Sequence, residues 1–259
     1  MTLSVRILGC GSSGGVPRVG QGWGACDPLN PKNRRRRCSI LVQKHGLNVL
    51  VDTSPDLREQ LLGANISNLD AVIYTHSHAD HVHGIDDLRP IAIQKQGVID
   101  TYIDETTSET LNKNFNYCFK TPAQSEYPPL LREHRVVSGK SFEIGSTENQ
   151  LTCTPFNVQH GTINALGLRF DGITYTPDVD AIPDTSIQYL ENLNVWIIDA
   201  LRYTPHPSHF NLEQALEWIE RMKPKRAILT NLHIDMDYEA LCKILPDNVE
   251  PAYDGMVVE

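Results

Sequence analysis

The chain has 259 residues, 40% of them hydrophobic and 21% charged, with a formal net charge of -9 at pH 7. That length suits one large domain with a sizeable core, and the acidic balance argues against a general nucleic-acid binder, which carries a basic footprint. No apolar run approaches the roughly 20 residues that span a bilayer, and residues 1–8 lack the apolar core of a secretory signal, so a cytoplasmic protein is expected.

Ser4–Gly9 reads as a first strand. The glycine-rich run Gly9-Cys10-Gly11-Ser12-Ser13-Gly14-Gly15-Val16-Pro17 follows it. This run is neither a Walker nor a dinucleotide signature. It is expected to be a tight turn whose backbone N–H groups, with Ser12 or Ser13, are candidate phosphate contacts. Arg34-Arg35-Arg36-Arg37 is the one dense basic run and is expected to be a solvated turn, with one arginine facing a site. Strands are expected at 38–43 and 47–53, joined by a hairpin at His45-Gly46, and at 71–75. A helix is expected over 80–94, where Val82, Ile85 and Leu88 share a face.

Residues 105–134 show little periodicity and several aromatics, among them Phe115, Tyr117, Phe119 and Tyr127. They fit either a helical insert with its own small core or a lip over a pocket. Further strands are expected at 151–158, 165–170, Ile173–Thr176, Val195–Asp199 and 226–232, with Asp171-Gly172 as a two-residue hairpin turn. Short helices are expected at 186–193 and 237–245. The clearest helix is 211–223, with Asn211 as N-cap, Gln214 three residues on and Pro224 after the end. Nothing divides the chain, so 1–259 is expected to be one domain. The six cysteines contain no CxxC pair and are expected to be reduced thiols.

The densest chemistry lies at Thr75-His76-Ser77-His78-Ala79-Asp80-His81, three imidazoles and a carboxylate directly after an apolar run. Histidine is the commonest metal ligand, and a carboxylate beside it suits a dication. Other apolar strands also finish on a ligand or orienting group: Asp52, His160, Asp178, Asp199 and His233. Rigid strands delivering polar groups to one edge are a sound way to fix coordination geometry.

His76-x-His78-x-Asp80-His81, followed by His160, Asp178 and His233, resembles the ordered ligand series of the metallo-β-lactamase superfamily. The resemblance implies an α/β protein, an αββα sandwich with a two-metal site between the upper edges of its sheets. It implies that His76, His78 and His160 hold one metal, that Asp80, His81 and His233 hold the second, and that Asp178 bridges them. Asp52 would be an orienting carboxylate rather than a ligand, and Asp199 is a second candidate for that role. Gly9–Pro17, Arg36-Arg37-Cys38-Ser39, His209-x-x-Leu212 and Asp254-Gly255-Met256 narrow the resemblance to the phosphoribosyl cyclic phosphodiesterases; ribonuclease Z-type enzymes share the opening pattern more loosely. That branch often carries a clustered cysteine site for structural zinc, of which only Cys26 stands here, so this zinc is not carried over. Asn231 stands near the place of an extra histidine in relatives; His233 is kept as the ligand.

The expected cofactors are two divalent ions per chain, zinc or manganese. Such a pair lowers the pKa of a water and stabilises attacking and leaving oxygens of an in-line displacement. Asp80 and His209 are the catalytic candidates, His209 as general acid, since imidazole titrates near neutral pH. His206 is its alternative and a candidate substrate contact, and His83 falls outside the ligand set. The expected activity is hydrolysis of a small phosphodiester, with phosphoribosyl 1,2-cyclic phosphate as candidate. Thioester, lactone or β-lactam hydrolysis, ribonuclease-like cleavage, and a metal-stabilised binding protein are the alternatives. The expected partner is a small phosphate ester, without membrane or nucleic acid; a homodimer is left open.

Overall fold

The structure, a computed structural model, describes residues 3–121, 123–124 and 126–259. Two seven-stranded sheets face each other. The first has the order β14-β1-β2-β3-β4-β5-β6 and the second β13-β12-β11-β10-β9-β8-β7. In chain order the first sheet comprises β1 (Ser4–Gly9), β2 (Ser39–Lys44), β3 (Leu47–Val51), β4 (Ala71–Ile73), β5 (Ile99–Ile103) and β6 (Leu131–Arg135). The second comprises β7 (Phe142–Gly145), β8 (Gln150–His160), β9 (Ile163–Phe170), β10 (Ile173–Thr176), β11 (Val195–Asp199), β12 (Arg226–Thr230) and β13 (Val249–Pro251); β14 (Val257–Val258) returns to pair with β1.

Residue alternation along the strands builds three apolar layers. Val49, Val51 and Ile73 point between the sheets, where they meet Leu168, Tyr175 and Ile197 of the second sheet. Their neighbours Leu50 and Val72 point outward to α1 (Leu57–Gly63) and α3 (Arg89–Lys95). In the second sheet Trp196 and Ile198 point outward to α7 (Leu212–Met222) and α8 (Tyr238–Ile244). Strands covered on both faces read as continuous apolar runs. The result is the α/β sandwich, helix over sheet over sheet over helix, that the sequence predicts. Among the described residues no helix is long and apolar enough to cross a membrane.

Several segments differ from their sequence reading. The expected helix over 80–94 is three pieces: α2 (Ala79–Val82), a 3-10 turn at Ile85–Leu88, and α3. A Cβ on Gly84 would lie 2.1 Å from the Ser54 carbonyl oxygen, so the chain passes too close to that loop for a side chain. Pro90 then starts α3, where its missing N–H costs nothing. The segment 186–193 begins earlier, as α6 (Asp184–Ile187) continuing into a 3-10 turn. Of the segment 105–134, α4 (Glu105–Asn114) and α5 (Asn116–Phe119) lie in the crossover from β5 to the parallel β6, and 131–134 belong to β6 itself. Leu111, Cys118 and Leu130 join the outer core of the first sheet rather than making one of their own. Phe115 lies edge-on to His83, ring centroids 5.8 Å apart.

The basic run is not a solvated turn. Arg35 is buried, donating to Asn33 Oδ1 at 3.3 Å, while Arg36 faces Asp254 and Arg37 faces Asp56. Helix α7 carries the expected Asn211–Gln214 capping box. The six cysteines are free thiols, and all but Cys242 are buried.

Candidate metal centre

The parallel strands β10, β11 and β12 end at one edge of the second sheet, and β3 and β4 end at the facing edge of the first. Side chains just past the C-terminal ends of parallel strands share a crevice. At β3 the strand stops because Asp52 takes a left-handed backbone (φ 63°) and turns its carboxylate inward. That carboxylate is fully buried and accepts three hydrogen bonds: from Thr75 N and Thr75 Oγ1 at 2.8 Å each, and from His81 Nδ1 at 2.8 Å. The Thr75 N–H is thereby spent on Asp52, which ends β4 before 75.

This network sets the imidazole tautomers. The Thr75 hydroxyl donates to Asp52 and so accepts from His76 Nδ1 (3.0 Å), leaving His76 Nε2 with a lone pair. Burial, and then the neighbouring His81, hold the His76 imidazole well below its ordinary pKa. His76 Nε2 is itself buried and has no hydrogen-bond partner among the described residues. His160 Nδ1 donates to the Ser208 carbonyl at 2.6 Å, which leaves a lone pair on its Nε2, 3.1 Å from His78 Nδ1. Bonds of this kind fix metal-binding histidines in orientation and tautomer.

Two sets of donor atoms result, each within 4.8 Å of one another: His76, His78, His160 and Asp178, and then Asp80, His81 and Asp178. Asp178 belongs to both. Its Oδ2 lies 3.4 Å from His160 Nε2 and 3.7 Å from His76 Nε2, while its Oδ1 lies 3.1 Å from His81 Nε2. Asp80 Oδ2 is 3.6 Å from His81 Nε2. Burial would raise the Asp178 carboxyl, but His81, His76 and His209 around it draw it well below the usual range. Three imidazoles with a shared carboxylate, beside a second set of two carboxylates and an imidazole, could hold dications of the zinc or manganese type. The orphaned, buried His76 Nε2 fits that use.

His209 stands at the rim, with Nε2 3.9 Å from Asp178 Oδ2 and Nδ1 bonded to Asp199 Oδ2 at 2.7 Å. Burial disfavours its charge, yet Asp199 outweighs this and pushes the imidazole up to about 9. Asp199 also accepts from Val179 N at 3.0 Å, so it orients both neighbours. The His206 ring centre is 5.0 Å from that of His209. Ser13 is exposed and lines a cavity of about 370 Å³ that reaches Asp80; Ser12 is buried, and its hydroxyl has no partner among the described residues.

His233 is the one expected ligand that neither set includes. Its Nε2 lies 2.9 Å from Arg18 Nη1 and its Nδ1 3.0 Å from Asp235 Oδ1. Strand β12 ends at Thr230, and Asn231 (φ 62°) turns inward instead, with Nδ2 3.3 Å from Asp178 Oδ1 and 3.2 Å from His209 Nδ1. The chain thus turns Asn231 toward Asp178 and His233 toward Arg18. Arg18 and Arg37 beside Asp80 carried no individual sequence signal, apart from Arg37 belonging to the basic run.

A beta-lactamase superfamily domain model matches residues 47–234. A crystal structure described as a new diphosphatase from the PhnP family superposes with a TM-score of 0.90 at 34% identity, covering 100% of this chain and 98% of that one. An octanoyltransferase from Porphyromonas gingivalis is 33% identical over 256 residues, 96% of this chain but 50% of its own length. A ribonuclease Z from Bradyrhizobium sp. is 42% identical over 57 residues, 21% of this chain and 19% of its own length. The chain therefore spans half or less of these two curated relatives. With the family model covering most of its length and the sandwich matching throughout, the chain belongs to the beta-lactamase superfamily and has the metallo-β-lactamase fold.

Proposed function

We propose that the protein is a two-metal phosphodiesterase that hydrolyses a small phosphodiester, with phosphoribosyl 1,2-cyclic phosphate as the leading candidate. The observation that carries this reading is the position of Asp178, one oxygen toward each donor set, with the His209–Asp199 pair beside it. Dications of zinc or manganese held there would supply Lewis acidity and lower the pKa of a water. The chain's own residues do the rest. His76, His78, His160 and Asp178 would hold one ion, and Asp80, His81 and Asp178 would hold the other. Asp52 and Thr75 keep the imidazoles in register. His209, kept protonated by Asp199, donates its Nε2 proton to the leaving oxygen. The net charge of -9 favours a small substrate over nucleic acid. Two relatives, the diphosphatase and the ribonuclease, are named for cleavage at phosphorus.

The octanoyltransferase match favours a second reading, hydrolysis of a thioester, because the same centre can direct water at a carbonyl carbon. The cavity beside Asp80 contains Arg18, Arg37 and Ser13, a lining better suited to an anion than to an acyl chain. Turnover of a cyclic phosphodiester, a thioester and nitrocefin by the metal-loaded protein separates the readings. Phosphodiester turnover is expected to dominate, and inactivity on every phosphodiester would sink the proposal. His209→Ala is expected to abolish turnover with metal content near wild type; lost metal would place His209 among the ligands.

A further inference from the structure

We propose that the two donor sets are unequal, with Asn231 setting the difference. The first is a tight site of the zinc type, and the second is a weaker, exchangeable site for a harder dication of the manganese type. This rests on the two-metal reading and goes beyond it by assigning each set its own ion.

The sets differ in chemistry. The first offers three imidazoles, His76, His78 and His160, with the Asp178 carboxylate. The second offers one imidazole, His81, with the carboxylates of Asp80 and Asp178. Imidazole suits zinc, while carboxylate and water suit manganese. The second set is also one protein group short of the first, and among the described residues no other His, Cys, Asp or Glu joins it. Asp80 lines the cavity of about 370 Å³, so water can fill the remaining positions, as hard cations favour.

Asn231 stands where a further ligand would approach that set. It is 3% exposed, and its left-handed backbone (φ 62°) turns the side chain onto Asp178. Its Nδ2 donates to the Pro177 carbonyl oxygen at 3.1 Å and to Asp178 Oδ1 at 3.3 Å. The second of these acceptors is the oxygen that faces His81. These neighbours fix the amide orientation, because turned over its Oδ1 would oppose two acceptors. Both Nδ2 hydrogens are thereby used, and an amide nitrogen has no lone pair to offer a metal. The remaining neighbour, His209 Nδ1 at 3.2 Å, gives its own proton to Asp199 and changes nothing. The bond to Asp178 also draws on the oxygen that the second ion would use. Asp178 Oδ2, which faces the first set, is left alone. Asn231 thus withholds a ligand from the second set only, and His233 cannot replace it while it faces Arg18.

The test loads the metal-free full chain and reads metal rather than turnover. Calorimetric titration with zinc should show two steps, the second weaker by about 100-fold or more. Losing an orienting contact alone weakens a site by about 10–100-fold, and here a whole ligand is missing. With one equivalent of zinc and excess manganese, pulsed EPR should find manganese carrying a single imidazole nitrogen, that of His81. Two zinc steps within about threefold of each other, or manganese carrying two or more imidazole nitrogens, would overturn the proposal. Asn231→Asp and Asn231→His each supply a ligand. They should strengthen the second step about tenfold or more and leave the first unchanged; no effect of either in folded protein would remove Asn231 as the cause and overturn the proposal. Uptake of one ion only would bring down the two-metal reading and this proposal with it. Inactivity on phosphodiesters, by contrast, would leave these metal readouts as they stand.

Discussion

Asp52→Ala is expected to damage the fold before it damages the chemistry. The carboxylate is fully buried and satisfies the Thr75 N–H, the Thr75 hydroxyl and His81 Nδ1–H at once. Removing it orphans three buried donors, each costing about 1–3 kcal/mol. Water entering the space left by the side chain recovers part of this, so a loss of about 3–5 kcal/mol is expected. For a domain of this size that corresponds to a fall of about 6–20 °C in Tm. The assay is calorimetry with a chelator present, so that the midpoint reports packing rather than bound ligand. Asp52→Asn keeps the shape and one acceptor. It should lose less stability yet bind metal about 10–100-fold more weakly, because the orientation of His81 is loosened. A midpoint within about 2 °C of wild type for Asp52→Ala, or unchanged metal affinity for Asp52→Asn, would refute the role assigned to this carboxylate.

Other outcomes follow from the same contacts. The His209 imidazolium, the proton-donating form, is retained as pH rises until about 9, so activity should fall on the alkaline side. Asp199→Asn removes the charge that raises it, and the alkaline limb of the kcat/KM profile should move toward pH 6.5, the ordinary imidazole value; an unmoved limb would remove His209 as the acid. Trp196 is fully buried, packs between β11 and the outer helices, and donates Nε1–H to Thr176 Oγ1 at 3.0 Å. Trp196→Ala should cost about 3–5 kcal/mol in denaturant unfolding. Asn211→Ala removes the capping box of α7 and should cost about 1 kcal/mol.

Most strands were legible because both faces are covered, so runs such as Leu47–Val51 and Val195–Asp199 are apolar throughout. Their ends were less so. The expected strands 47–53 and 226–232 ran past Asp52 and Asn231, whose left-handed backbones break the ladder at polar residues that no apolar count registers. The expected helix over 80–94 kept its apolar face through Gly84, because the approach of the Ser54 carbonyl is a tertiary contact. In the site, the cluster 76–81 announces itself by ligand density, and His160 and Asp178 by their places after strands. His233 shows the limit of this reasoning. Order along the chain does not tell which side chain turns inward, and two residues past β12 the imidazole faces Arg18, 215 positions away in sequence.

Anomalous diffraction from crystals grown with manganese tests whether two cations share Asp178. Two peaks are predicted, one among His76, His78, His160 and Asp178 and one among Asp80, His81 and Asp178, about 3.5–4 Å apart. A single peak, or a second peak coordinated by His233 with Arg18 displaced, would contradict it.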